Sequence, residues 1–377
     1  MPRRLLLPVM LSVLLLTGCD APPPSTTSSI RVDEAMGAAP DPGFARALQP
    51  REFQFPDDHG AHPDFATEWW YLTGNLYDDN ERRFGYQLTL FRVGLRPGVV
   101  EKDSDWRSNQ LYMGHLAISD IDGAIDRARH YSAERFARAA AGLAGARVKP
   151  FEVWLGPWTL KAGNELFPMT LQAQHEDMGL SLQLQAGDKP IVLQGERGLS
   201  RKSATPGNAS YYYSFTRLPT HGEVRIGDVL FSVQGHSWLD REWSSSALDR
   251  DQAGWDWFAL QLEDGRELMF YQLRTRQGGV HAFSRGILVQ QDGSVQNLLP
   301  AQVKLTPRRY WQAVDGTRYP IDWRLQVAEF QLDLEVRAAL DDQLMDHTVQ
   351  YWEGAVDVSG SHRGQGYLEL SGYADNR

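Results

Sequence analysis

Gly235-His236-Ser237-Trp238-Leu239-Asp240-Arg241-Glu242-Trp243, followed by Gly254-Trp255-Asp256-Trp257-Phe258, decides how the rest of the chain reads. The two pieces hold four tryptophans, one histidine and four charged residues. In an extended strand, alternate side chains share a face. His236, Trp238 and Asp240 therefore lie on one face, Ser237 and Leu239 on the other. Trp255 and Trp257 form a second same-face pair, with Asp256 opposite. Such density marks either a special core or a binding surface. The stretch also lies between two β-rich halves, and ligand sites often form at such seams.

Outward from it, short strands and turns dominate. Before the stretch, Glu68 to Leu76, Arg83 to Arg92 and Leu111 to Ile118 read as strands, with Phe84, Tyr86, Leu88 and Leu90 on one face. Strands are also expected at 151–155, 170–175, 180–185, 191–194, 211–216 and 223–233. After it come 257–262, an Asp264-Gly265 turn and 267–274, a hairpin pattern, then further strands to 373. One helix is expected in the first half: Ser132 suits an N-cap, Phe136, Ala139, Ala140 and Leu143 share a helical face, and Gly145 ends it. Many short strands with regular turns imply an all-β sandwich or barrel.

A chain of 377 residues with 42% hydrophobic content supports two packed domains. The expected division is residues 49–245 and 246–377. A net charge of -10 argues against a nucleic-acid partner. The only cysteine, Cys19, follows a basic Arg3-Arg4 pair, a short apolar run and Leu16-Thr17-Gly18. This pattern resembles a bacterial lipoprotein signal over residues 1–19, with Cys19 as the lipidated N-terminus. A Pro- and Ser-rich tether over 20–48 follows. The expected location is the cell envelope, held on the membrane by the lipid.

Asp57, Asp58, His59, His62, Asp64 and Glu68 hold metal-ligand atoms, but without zinc-site spacing. The expectation is no metal and no cofactor. There is no Gly-x-Ser-x-Gly elbow, and adjacent Ser237 and His236 point apart, so a serine hydrolase is poorly supported. An acid among indoles is a better candidate: desolvation raises its pKa and suits it to donate a proton. Indole faces stabilise a cation formed from an alkene. The structural alternative is an Asp240–Arg241 or Glu242–Arg pair plugging a barrel end beneath core tryptophans.

At His59-Gly60, Glu68 to Leu76, Phe136 to Gly145, Gly235 to Trp243, Tyr351-Trp352-Glu353-Gly354-Ala355-Val356 and Gly366-Tyr367-Leu368-Glu369-Leu370, the chain resembles the carotenoid 1,2-hydratase and AttH family. The resemblance implies two tandem lipocalin-like barrels with a site near their junction. It implies functional roles for His236 and Trp238, and for a tyrosine that Tyr271 matches. The aspartate expected beside that tyrosine is absent, since Gln272 and Leu273 follow. The expected catalytic residues are then His236, Asp240 and Tyr271. Trp238, Trp243, Trp255, Trp257, Trp70 and His59 are expected to line the site for an isoprenoid, polyene or lipid. A hydratase is the leading expectation; a non-catalytic carrier or envelope scaffold is the alternative.

Overall fold

The computed structural model describes residues 43–98, 104–105, 107–123, 127–246 and 248–374. Among them, thirteen strands form one antiparallel sheet and ten form a second. The first sheet runs from Arg129–Arg138 through Gln110–Asp120, Arg83–Gly94 and Thr67–Asp78 to Val229–Ser244 and Ala209–Ile226. It continues through Met178–Leu184 and Met169–His175 to Ala144–Arg147. Its far end curls back against the Arg83–Gly94 and Gln110–Asp120 strands, making a nearly closed barrel. The second sheet includes Glu267–Thr275, Gln252–Leu262, Gly364–Ser371, Gln350–Gly360 and Leu332–Ala338, and curls the same way. The first sheet ends at Ser244 and the second begins at Gln252.

Alternation along each strand sorts the side chains. Trp70, Leu72, Phe84, Leu88, Leu90 and Trp243 fill the first barrel. Phe258, Leu260, Trp323, Trp352 and Leu368 fill the second. Each large apolar side chain so buried contributes about 1.5–3 kcal/mol. Both lumens are therefore packed cores.

The opposite faces pack against each other. Tyr71, Tyr212 and Trp238 of the first barrel join Trp257, Met269, Tyr271, Ala355 and Tyr367 of the second in one buried cluster. Polar contacts tie its rim. Arg83 reaches Asp357, Arg217 pairs with Glu267 at 2.6 Å, and Asn75 Nδ2 donates to Gly366 O at 3.3 Å. Gly85 is needed here: a Cβ would sit 2.8 Å from the Tyr367 hydroxyl and 2.9 Å from Ala355 Cβ.

Three expectations change. The helix expected from Ser132 to Gly145 is instead the strand Arg129–Arg138, followed by a turn and the strand Ala144–Arg147. Arg129–Arg138 pairs along its whole length with Gln110–Asp120, and that ladder overrides the alanine-rich propensity. The strand expected over 223–233 is a hairpin turning at Gly227-Asp228, which joins two long strands. Packed structure begins before residue 49, where it was expected. Phe44 and Ala47 are buried, and Ala45 N donates to Asp64 O at 2.8 Å. Cys19 and the leader lie outside the described residues.

Candidate functional site

The two facing sheets enclose a cavity of about 160 Å³. Phe91, Met113, Leu248, Trp255, Trp257 and Leu273 supply apolar wall. Five carboxyl side chains border this mostly apolar space. Glu68 and Glu242 are paired with Arg92, Arg241 and Lys202, whereas Asp240, Glu353 and Glu369 are held by hydrogen bonds from neutral donors.

Asp240 reaches the cavity because Trp238, Asp240 and Glu242 share the outer face of Val229–Ser244, while Leu239 and Trp243 point into the lumen. Three donors hold it: the Tyr212 hydroxyl at 2.5 Å, the Ser214 hydroxyl at 2.5 Å and Trp238 Nε1–H at 2.7 Å. Burial raises its pKa to about 7, against the pull of those hydrogen bonds.

Glu353 and Glu369 lie directly opposite each other on the paired strands Gln350–Gly360 and Gly364–Ser371. Tyr71 donates to Glu353 Oε1 at 2.6 Å. Glu353 Oε2 is buried without a hydrogen-bond partner. Burial, and then the neighbouring Glu369, push the Glu353 carboxyl well above its ordinary range. Glu369 accepts from Trp255 Nε1–H at 2.8 Å. Burial is the main cause that raises it to about 7, with Glu242 and Asp240 adding to the rise. Like charges held this close in a dry site cannot all ionise. Burial and Glu369 thus favour the neutral form of Glu353, which lines the cavity.

A second polar edge lies around Lys202. Its ammonium is 3.1 Å from Glu242 Oε1, donates to Ser200 Oγ at 3.0 Å and stands 4.2 Å over the Tyr271 ring. Burial would lower the Lys202 pKa, but Glu242 and Tyr271 raise it. The Tyr271 and Ser200 hydroxyls are 2.9 Å apart.

Of the residues expected from the sequence, Asp240, Tyr271, Trp255 and Trp257 line the cavity. Trp238 packs behind it, edge-on to Trp257 at 6.3 Å, and holds Asp240. Trp70, Trp243 and His59, expected at the cavity, belong to the other face of the sheet. Trp243 is stacked on His62 at 3.7 Å. Trp70 Nε1 donates to His59 O at 2.9 Å, and His59 Nδ1 is 2.6 Å from the Tyr213 hydroxyl. Burial, then Arg241, lower the His59 pKa to about 4. These aromatics surround a buried ion network in which Glu68 bonds Arg92 and Arg241 at 2.8 Å. His62, weighed as a metal ligand, spends its two ring nitrogens on Asp58 and Glu68, each at 3.1 Å. His236 shares the parity of Asp240 but lies further along the strand, where its side chain is exposed and outside the cavity lining. Asp256, opposite Trp255 and Trp257 on its strand, turns away from the cavity to Gln272, Tyr373 and Arg274.

Sequence reasoning passed over Glu353 and Glu369 as acids, although both stand in the quoted family motifs. It also passed over Lys202 and Tyr351 as site residues, while the alternating runs Trp69-Trp70-Tyr71 and Tyr211-Tyr212-Tyr213 were read as half core and half cavity lining, and Tyr71 and Tyr212 line the cavity. His115 falls inside the expected strand Leu111 to Ile118 and carries no site signal of its own in the sequence.

An AttH-like family profile matches residues 46–373, nearly the whole described chain. The chain belongs to the AttH-like family. Among solved structures, a protein of Nitrosomonas europaea assigned as AttH is 32% identical, with a TM-score of 0.76 over 88% of this chain and 100% of that one. Kievitone hydratase of Nectria haematococca is 13% identical, with a TM-score of 0.63 over 87% of this chain and 98% of that one. CghA, in a structure with Sch210972, is 14% identical, with a TM-score of 0.51 over 91% and 98%. No curated protein matches the chain. The last two likenesses show the fold alone, and the AttH-like chain shares with them a two-barrel, lipocalin-like architecture.

Proposed function

We propose that this AttH-like protein is an envelope lipoprotein that takes the end of an elongated apolar molecule into the inter-barrel cavity. There it adds water to a double bond by acid catalysis. The substrate class is an isoprenoid, polyene or unsaturated lipid. The observation that carries this reading is Glu353: a buried acid held neutral, its Oε2 unpartnered, bordering an apolar cavity. Such a group is a proton donor in a site that excludes water from the developing cation. Trp255 and Trp257 supply ring faces for that cation. Asp240, expected from the sequence as donor, has both oxygens committed to three donors. It serves better as a neighbour whose charge, after that of Glu242, opposes ionisation of Glu369. The cavity of about 160 Å³ is small for a whole drug-sized ligand, for which about 300–1,000 Å³ is usual. This favours binding of a chain end. A protein of the same fold is named a hydratase, which favours the reaction class. The Arg3-Arg4, apolar run and Cys19 pattern supports lipid anchoring.

The test starts from the full-length protein, extracted in detergent from its own host. Mass spectrometry should find Cys19 acylated and one apolar molecule near stoichiometric amount. Incubated in H₂¹⁸O, that molecule should gain one labelled hydroxyl, and Glu353→Gln should abolish the gain. Bound molecule without label uptake would leave a carrier. Neither binding nor uptake would end the proposal.

A further inference from the structure

An acid alone does not complete a hydration, because the water that captures the cation must lose a proton. A second constellation borders the same cavity beside Glu353. The Tyr351 hydroxyl is 2.7 Å from His115 Nδ1. His115 Nε2 is 3.1 Å from Glu134 Oε1. Thr348 Oγ1 donates to Glu134 Oε2 at 2.7 Å. Burial would raise the Glu134 pKa, but hydrogen bonds from His115 and Thr348 bring it below the ordinary value, so it is a carboxylate. That carboxylate accepts the Nε2–H of His115 and leaves Nδ1 as a lone-pair acceptor for the Tyr351 hydroxyl. Phe91, edge-on at 5.4 Å, and His347, with ring centroids 5.7 Å away, complete the surroundings of the imidazole. His115, Tyr351 and Glu353 all line the cavity. The three groups come from both barrels: His115 and Glu134 from paired strands of the first, Tyr351 from the second.

We infer that Tyr351, backed by His115 and Glu134, is the base that deprotonates the attacking water. The inference rests on the hydration reading above. Glu353 gives its proton to one alkene carbon, so the π bond breaks, a C–H bond forms and a carboxylate and a carbocation result. Water forms the C–O bond. The resulting oxonium gives a proton to the Tyr351 oxygen as Tyr351 passes its own to His115 Nδ1. The imidazolium is stabilised by Glu134, as in other carboxylate-backed histidine bases. The proton then returns through Tyr351 to the adjacent Glu353 carboxylate. The net change is one water added and the enzyme restored. Tyr351 is the catalytic residue; His115 and Glu134 are positioning residues that act through it.

Proton donation and water capture can be read separately. Full-length protein in detergent is given farnesol in D₂O, and in a parallel run in H₂¹⁸O. Wild type should place deuterium at the terminal double bond, by reversible protonation, and ¹⁸O in a new tertiary alcohol. Glu353→Gln should lose both. Tyr351→Phe and His115→Gln should keep deuterium uptake and lose ¹⁸O incorporation by about 100-fold or more. Glu134→Gln should shift the same split less far, and Glu134→Asp should restore it. A purely structural defect would lower both readouts together. Tyr351→Phe with ¹⁸O incorporation within twofold of wild type, or with both readouts lost in parallel, overturns the base assignment and leaves Glu353 as the acid. A wild type inert in both runs overturns the hydration reading and this inference with it.

Discussion

Ionisation is opposed by burial at Glu353, Glu369 and Asp240, and the sign of the pH dependence follows. Hydration needs Glu353 protonated, so turnover should hold through the ordinary carboxylate range and fall only as pH rises past the raised pKa of Glu353. A rate that climbs from pH 6 to pH 9 would contradict this. Stability carries the same sign. A carboxyl whose folded pKa is raised contributes stability that is fully present below its unfolded pKa and lost as pH rises through the folded value. For Asp240, moving from 3.8 to about 7, the loss between pH 4 and pH 8 is about 4 kcal/mol at most. Glu68 and Glu134, with lowered values, act the other way, and their contributions vanish only as pH falls through the ordinary carboxylate range and below. Urea unfolding at pH 5 and pH 8 should therefore show lower stability at pH 8, with a smaller difference in Asp240→Asn. At this scale Asp240 was legible in the sequence, because Trp238 and Asp240 sit two apart on a strand. Glu353 was not, because what holds its proton is burial between the barrels and then Glu369, sixteen positions away and opposite it only after the strands pair.

The elements repeat one device: each strand shows a lumen face and a partner face. Thr67–Asp78 sends Glu68, Trp70 and Leu72 into the barrel and Trp69 and Tyr71 toward the cavity. Alternation made this legible for Phe84, Tyr86, Leu88 and Leu90. It did not say how far along a strand the second barrel reaches, which is why His236 shares the parity of Asp240 and still faces solvent. Nor did periodicity decide Arg129–Arg138, where apolar residues at helical spacing fit a strand once Gln110–Asp120 supplies a full ladder. On the lumen face, Glu68 bonds both Arg92 and Arg241, all three essentially fully buried. Removing one partner of a buried ion group leaves charge uncompensated, at about 3–5 kcal/mol. Glu68→Gln should cost that much in urea unfolding at pH 7. A loss under about 1 kcal/mol would show that the cluster is solvated and is not what closes the barrel end.

For the whole molecule, two packed lumens leave the seam between the barrels as the place for a ligand. A barrel can hold its ligand inside, but Trp70, Trp158 and Trp243 fill one lumen and Trp323 and Trp352 the other. The seam was legible from the aromatic density around Trp238 and Trp257; the filled lumens were not, because parity alone does not tell an inner face from an outer one. The same seam couples the barrels energetically. Trp257 stands at its centre, edge-on to Tyr71 at 5.2 Å and to Trp238 at 6.3 Å, with its Nε1 3.4 Å from the Tyr212 hydroxyl. Truncating such a side chain costs about 3–5 kcal/mol, here charged almost wholly to the contact between barrels. Each barrel keeps its own core, so the loss should separate their unfolding rather than unfold both. In calorimetry, wild type should melt in one transition whose midpoint rises with the co-purified ligand, and Trp257→Ala should melt in two, neither responding to ligand. A single ligand-responsive transition in Trp257→Ala would mean that rim contacts such as Arg83 with Asp357 and Arg217 with Glu267 hold the seam together, and that the cavity forms without the indole at its centre.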